Sequence, residues 1–383
     1  MFDLILALRL TTKTFSLKKN SLRFPVARRI ISAFIILPSF FFLILFNRIF
    51  MLLDWIFFPG FRKLQLKNTA FIIGVPRSAT TYLYTILAQD TEHFTCYKLW
   101  EIIFAPSVIQ KYILLRIIKT DKCVGRPLYH FSLFLDRLFF NKISRLHPFS
   151  FSEPEEDEML LLYAFASMYL TFFFPGVDAL DPHFFFDMDI SAKKRKKIML
   201  FYKHCVQRHV YVFNRNEEKI YLSKNPCFMP KMVSIAETFP EAKLIYMLRS
   251  PLKTIPSTIS LNANIYSVFS GMIKENPFAN KTSDLIISWY KTADKAIGKY
   301  WSNRNIIIPF KKITGQPQLT VNEIYKFLQL IPGTTIQKLL NEEQQRSENY
   351  ESAHKYNTNN FIIKNEIALQ LDFILNGKYK NEI

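Results

Sequence analysis

Two kinds of hydrophobic pattern divide the chain. The first is an apolar stretch near the amino terminus, Ile30–Asn47 (IISAFIILPSFFFLILFN), continued after Arg48 by IFMLL, Asp54 and WIFFPGF. Its uncharged run is near the lower limit of about 18 residues for a membrane span, and Pro38 interrupts it. A kinked span, a re-entrant hairpin, an interface-lying helix and a buried helix of the fold therefore all fit. A secretory signal fits less well, because the run begins late and no small-residue cleavage pattern follows. From Thr69 the pattern changes to short apolar runs alternating with helical periodicity. Thr69–Val75 (TAFIIGV), Lys219–Ser223 (KIYLS) and Ala242–Leu248 (AKLIYML) predict buried strands. Thr81–Gln89 predicts a helix start, and Pro230–Phe239 a helix with its proline at the first turn. This alternation predicts an α/β domain over residues 69–383, with a mainly parallel sheet flanked by helices. A membrane-associated segment over residues 1–68 precedes it, and a long Phe/Leu-rich helical insert occupies about residues 102–174.

Composition narrows the function classes. With 383 residues, 49% of them hydrophobic, the chain can bury a large core, which excludes disorder and a coiled coil. Cys96, Cys123, Cys205 and Cys227 form no C-x-x-C pair, so buried thiols are expected rather than a metal or redox site. A formal charge of +19 beside 38 phenylalanines calls for an anionic partner next to an apolar one. Nine of those charges fall within residues 1–68, where anionic headgroups would meet residues 24–61. Arg28 and Arg29 before the run, and Arg62, Lys63 and Lys67 after it, do not choose an orientation. Lys193–Lys197 (KKRKK) reads as a solvated helix face or a membrane-surface contact. It has no interleaved aromatics and no accompanying nucleic-acid motif, so nucleic acid is not an expected partner. Asn280-Lys-Thr282 fits a glycosylation sequon, a weak three-residue match.

Two segments carry recognisable chemistry. Gly74-Val-Pro-Arg-Ser-Ala-Thr-Thr81 joins the first strand to a helix amino terminus, where free backbone N–H groups and the helix dipole hold phosphate. Arg77 adds charge, while Ser78, Thr80 and Thr81 add hydroxyl donors. A nucleoside-triphosphate P-loop requires G-x-x-x-x-G-K-[ST], and here Ala79 and Thr80 occupy the second glycine and lysine positions. The second segment is Arg249-Ser-Pro251 at the end of a strand, with Ser257 eight residues beyond Arg249. An arginine there stands where open α/β sheets bind ligands, and it can fork onto a phosphate that Ser257 also reaches.

These two stations, in this order, resemble the sulfotransferases that use 3′-phosphoadenosine 5′-phosphosulfate (PAPS). IIGVPRSATTYLYTIL is similar to that family's 5′-phosphosulfate loop, G-x-P-[RK]-S-G-T-T, and LIYMLRSPLKTIPSTISL to its 3′-phosphate motif. The resemblance spans about residues 69–365, through the YLSKNPCFMPKMVSIAETF and IIIPFKKITGQPQL stretches to SAHKYN (352–357). It implies a P-loop NTPase-like sulfotransferase fold and metal-free transfer of a sulfuryl group from PAPS to an acceptor hydroxyl or amine. Pro76, Arg77, Ser78, Ala79, Thr80, Thr81, Arg249 and Ser257 would bind the cofactor, and Lys224 would face the sulfate unless it is merely a solvated strand-end lysine. Ala79 stands where the family has glycine, which matters if that position needs a positive φ. Phe310-Lys-Lys-Ile313 departs from an aromatic–acidic–acidic–Leu sequence, and no catalytic role is expected of it.

For the general base the resemblance points first to Glu101, in Lys98-Leu-Trp-Glu101, then to His147, in His147-Pro148. Glu155 and Glu156 follow, although acidic runs at helix starts commonly act as caps. The insert is the expected lid, apolar enough for a lipophilic or membrane-associated acceptor; core packing would use the same residues. The cytoplasmic face of a bacterial inner membrane is the expected location, with a single-pass type II Golgi protein as the alternative. A P-loop small-molecule or lipid kinase and a non-catalytic membrane-bound scaffold are the rival functions.

Overall fold

Thr69–Ile73 is buried at every position, as expected of a central strand covered on both faces. The computed structural model describes residues 4–15, 34, 37–140, 150–174, 178–270 and 279–348; His147 and residues 352–357 lie outside them. The chain divides into two units. A sheet unit comprises Lys67–Thr95, Glu218–Asn262 and Asn276–Ile383, and a helical unit comprises Met1–Leu66, Cys96–Glu217 and Ala263–Glu275.

In the sheet unit, five strands run parallel: β1 (Thr69–Ile73), β2 (Phe94–Thr95), β3 (Ile220–Lys224), β4 (Lys243–Leu248) and β5 (Asn305–Pro309). Their order is β2-β3-β1-β4-β5. Ile72 of β1 pairs with Lys224 on one side and Ile245 on the other, while Leu248 pairs with Pro309. The carboxyl ends of β1, β3, β4 and β5 therefore open at one edge, where parallel sheets place their ligands. Helices Thr80–Ala88, Met232–Thr238, Ala279–Tyr300 and Pro317–Leu328 flank the sheet. Ala279–Tyr300 turns Ile286, Tyr290, Ala293 and Ile297 inward, a helical stripe. Pro230 is not at the first turn of a helix; it lies inside the 3-10 turn Pro226–Lys231 that precedes Met232–Thr238.

In the helical unit, the described part of the apolar run forms the helix Leu37–Phe57, and Pro38 occupies its first turn, where a missing N–H breaks no helical bond. Two polar side chains on this helix are fully buried. Asn47 donates to the Ile103 carbonyl (2.9 Å) and accepts from the Gln110 amide (2.6 Å). Asp54 accepts from the Val108 and Ile109 N–H groups and pairs with Arg208 at 2.7 Å. Breaking such a buried pair costs about 3–5 kcal/mol. Of the cysteines, Cys205 is buried as expected, its thiol pushed up to about 11 by burial, whereas Cys123 is exposed and Cys96 and Cys227 are half-buried.

Candidate active site

The loop after β1 is shaped by close approach and strained backbone. A Cβ on Gly74 would lie 2.6 Å from the Met247 carbonyl oxygen of β4, so only glycine lets the chain leave the sheet there. Arg77 and Ala79 both have left-handed backbones, with φ of 70° and 65°. Non-glycine residues seldom accept that geometry, and two within three residues mark a loop held for function. Ala79 is also the amino-terminal cap of Thr80–Ala88 and supplies no side-chain bond to it.

The loop's side chains are drawn to the second station. Arg77 Nε donates to Ser257 Oγ at 3.1 Å, and Thr258 Oγ1 donates to the Pro76 carbonyl at 3.4 Å. Arg249 Nη1 donates to the Arg77 carbonyl at 2.5 Å, while its guanidinium lies 3.9 Å from the Phe310 ring centroid. The Tyr290 hydroxyl donates to the Arg249 carbonyl at 2.6 Å. Lys224 is 1% exposed, so it is no solvated strand-end lysine; its Nζ donates to Thr81 Oγ1 at 3.2 Å. The sheet unit thus brings Pro76–Thr81, Lys224, Arg249 and Ser257 to one edge.

Phe310, Tyr290 and Asn225 belong to this edge without having been expected there. Asn225 immediately follows β3, and its N–H donates to the Ile72 carbonyl of β1. Phe310 immediately follows β5, the neighbour of β4. For Asn225 and Phe310, position just past a parallel strand was the available signal; Tyr290, inside the helix Ala279–Tyr300, offered none.

The site also carries donors awaiting an acceptor. Ser78 Oγ and Asn225 Nδ2 are buried and have no hydrogen-bond partner among the described residues. Buried polar groups are rarely left so, and two donors beside cationic side chains fit an anionic oxygen cluster. Among the described residues, no three His, Cys, Asp or Glu side chains are grouped to hold a metal ion.

A profile of the sulfotransferase family matches residues 70–331, which contain both stations. The chain belongs to the sulfotransferase family. The family implies a PAPS-type sulfuryl donor, and the unpaired Ser78 and Asn225 donors with Arg77, Lys224 and Arg249 fit one. The omega-hydroxy-beta-dihydromenaquinone-9 sulfotransferases Stf3 of Mycobacterium bovis and Mycobacterium tuberculosis are 25% identical over 272 residues, 68% of this chain. The match spans 62% of those relatives' length. The crystal structure of sulfotransferase STF9 from Mycobacterium avium superposes with a TM-score of 0.73 at 14% identity, covering 94% of this chain and 88% of its own. STF1 from Mycobacterium tuberculosis gives 0.63 at 17% identity, covering 95% and 90%. These likenesses carry the fold.

Of the expected base residues, Glu101, Glu155 and Glu156 lie in the helical unit. Glu101 is 2% exposed; Oε1 accepts the Lys98 N–H at 3.2 Å, and Oε2 meets His209 Nδ1 at 2.8 Å and Lys111 Nζ at 3.6 Å. Burial pushes this carboxyl up, but the His209 ring and the Lys111 ammonium together hold it below the ordinary carboxylate range. The acidic run is buried and hydrogen-bonded: Glu156 accepts from the Tyr169 hydroxyl, Asp157 from Tyr202, and Glu158 from Ser167 and the Met168 N–H. Glu155 is buried too, its Oε1 accepting the Glu156 N–H.

Proposed function

We propose that this chain transfers the sulfuryl group of PAPS to a hydroxyl of a lipophilic acceptor and releases 3′-phosphoadenosine 5′-phosphate. The observation carrying the reading is the pair of unpaired buried donors, Ser78 Oγ and Asn225 Nδ2, at the edge that also holds Arg77, Lys224 and Arg249. PAPS would supply a sulfuryl group on a good leaving phosphate. Pro76–Thr81 and the start of Thr80–Ala88 would hold the 5′-phosphosulfate, with Lys224 at the sulfate. As the acceptor oxygen bonds to sulfur and the bridging S–O bond breaks, the N–H groups, Ser78 and Lys224 would stabilise charge growing on the 5′-phosphate. Arg249 and Ser257 would hold the 3′-phosphate. Arg77 leans to Ser257, so its guanidinium serves that end while its backbone shapes the other.

The acceptor's proton is assigned to Glu101 on the resemblance alone. Its surroundings keep it anionic, as a base must be, but a depressed pKa makes it a weak proton acceptor. Glu101→Gln should lower turnover about 100-fold or more with 3′-phosphoadenosine 5′-phosphate binding intact. Retained turnover in both Glu101→Gln and His147→Ala would remove both residues from the role.

The lipophilic acceptor is supported by the menaquinone derivative in the name of the Stf3 relatives and by the apolar surface of the helical unit. We place the enzyme at the cytoplasmic face of a bacterial inner membrane. The experiment is expression followed by mass spectrometry of the lipid fraction for a gain of sulfate. A sulfated lipid that disappears in Arg249→Ala supports the proposal; sulfate gained only by water-soluble metabolites contradicts the acceptor class.

A further inference from the structure

Helix Leu37–Phe57 has two opposite faces that are used differently. Ile44, Asn47, Met51 and Asp54 form the buried face, and Phe42, Leu45, Ile49, Leu52 and Ile56 form a second stripe that is between 48% and 70% exposed. Both follow three- and four-residue steps, so each is a true helix face. The buried face is fastened by polar bonds along its length: Asn47 to Ile103 and Gln110, Asp54 to Val108, Ile109 and Arg208, and the Met51 carbonyl to Arg208 Nη2 at 2.8 Å. A helix crossing a hydrocarbon layer about 30 Å thick would carry those partners in with it, including the Asp54–Arg208 pair.

Among the described residues, the neighbouring helical hairpin also leaves apolar side chains exposed. Val108–Cys123 begins on Asp54, and its Tyr112 ring lies 5.6 Å from Phe58. Pro127–Phe140 exposes Leu128, Phe131, Phe134 and Leu138 at 51% to 62%, again in helical steps. Between and beside these residues stand exposed Arg116, Lys119, Lys122, Arg126 and Arg137. The hairpin's two acids are occupied: Asp121 accepts the Leu128 and Tyr129 N–H groups, and Asp136 accepts from the Phe151 N–H and the Ser150 hydroxyl. Exposed Arg62 and Lys63 follow the long helix. Apolar stripes interleaved with cations, with no exposed carboxylate among the described residues of either segment, match an anionic lipid surface. A second copy of the same face would bring like charges together.

We propose that Leu37–Phe57 lies in the plane of an anionic bilayer rather than across it, with the Val108–Phe140 hairpin as a second lipid contact. The protein would then be held on one leaflet. This inference rests on the proposed membrane location and is independent of the nucleotide site.

The test uses the full chain and vesicles of phosphatidylcholine with or without phosphatidylglycerol. Binding should be about ten-fold tighter to the anionic vesicles, and the Phe131→Glu/Phe134→Glu variant should lose about ten-fold. Depth is read separately from an environment-sensitive dye on Phe42→Cys, Ile49→Cys or Ile56→Cys in a Cys123→Ser background. In-plane docking gives all three the same shallow quenching depth. A span separates Phe42 from Ile56 by about 21 Å across the layer, with Ile49 deepest, and that pattern would overturn the proposal. So would equal binding to neutral vesicles, or no vesicle binding together with dimerisation in sedimentation. Calorimetry with 3′-phosphoadenosine 5′-phosphate on the same preparations separates the two claims. Nucleotide binding without vesicle binding overturns the docking surface alone, whereas docking without nucleotide binding overturns the proposed PAPS site alone.

Discussion

Arg77 Nε donates to Ser257 Oγ across 3.1 Å, joining the loop after β1 to the helix Pro251–Ser270, 180 residues further along the chain. Arg249 reinforces the link through the Arg77 carbonyl, so the two stations behave as one cationic surface. Removing either member should weaken binding of 3′-phosphoadenosine 5′-phosphate by about 10- to 100-fold, as for hydrogen bonds to charged groups. Because the two touch, Arg77→Ala and Ser257→Ala should be less than additive in a double-mutant cycle. Strict additivity would show that they serve different parts of the ligand.

Ala79 holds a left-handed conformation in which a Cβ is unfavourable by about 1–2 kcal/mol. Glycine relieves that strain but gives the unfolded chain more freedom, an offset of about 0.4–1 kcal/mol. Ala79→Gly should therefore raise stability by up to about 1 kcal/mol, seen as a higher melting temperature, with nucleotide affinity retained. A lower melting temperature would mean that the loop does not hold Ala79 at positive φ.

The two faces of Leu37–Phe57 should respond oppositely to substitution. Asp54→Ala strips Arg208 and two N–H groups of their acceptor and should destabilise the chain by about 3–5 kcal/mol. Leu52→Ser, on the exposed stripe, should stay within about 0.5 kcal/mol. Comparable thermal shifts for both would contradict the one-sided burial of this helix.

Burial, and then the Arg208 and Arg62 guanidinium groups, lower the His204 pKa to about 4. The unfolded chain protonates this ring below about 6.5, so it takes up protons that the folded chain refuses. Stability from this group is complete above about 6.5 and is lost as pH falls towards about 4. Glu101, also depressed in the fold, adds its own loss below the ordinary carboxylate range. Thermal melts between pH 7.5 and pH 4.5, on the order of one unit apart, should show the decline, and His204→Gln should flatten its upper part. A melting temperature constant across that range would contradict the partial burial of His204.

Much of the sheet could be read from the sequence because parallel strands covered on both faces are continuous apolar runs. Thr69, Lys219 and Ala242 each opened such a run, and the strands begin within one residue of them. The phosphate loop was legible because its residue types are dictated locally. Phe310 and Asn225 were not, since their place depends on β5 lying beside β4 and β3 beside β1. The buried side of the helix Leu37–Phe57 was not legible for a related reason: it is fixed by Asp54 meeting Arg208 across 154 residues, a pairing no local pattern reveals.

The central claim is that the edge formed by Pro76–Thr81, Lys224, Asn225, Arg249 and Ser257 binds a nucleotide phosphorylated at both its 3′ and 5′ ends. Isothermal titration calorimetry with 3′-phosphoadenosine 5′-phosphate and with ADP, on the wild-type chain and Arg249→Ala, tests it most directly. The account predicts a clear preference for 3′-phosphoadenosine 5′-phosphate that Arg249→Ala abolishes. Equal or tighter binding of ADP, or a preference untouched by Arg249→Ala, would contradict it.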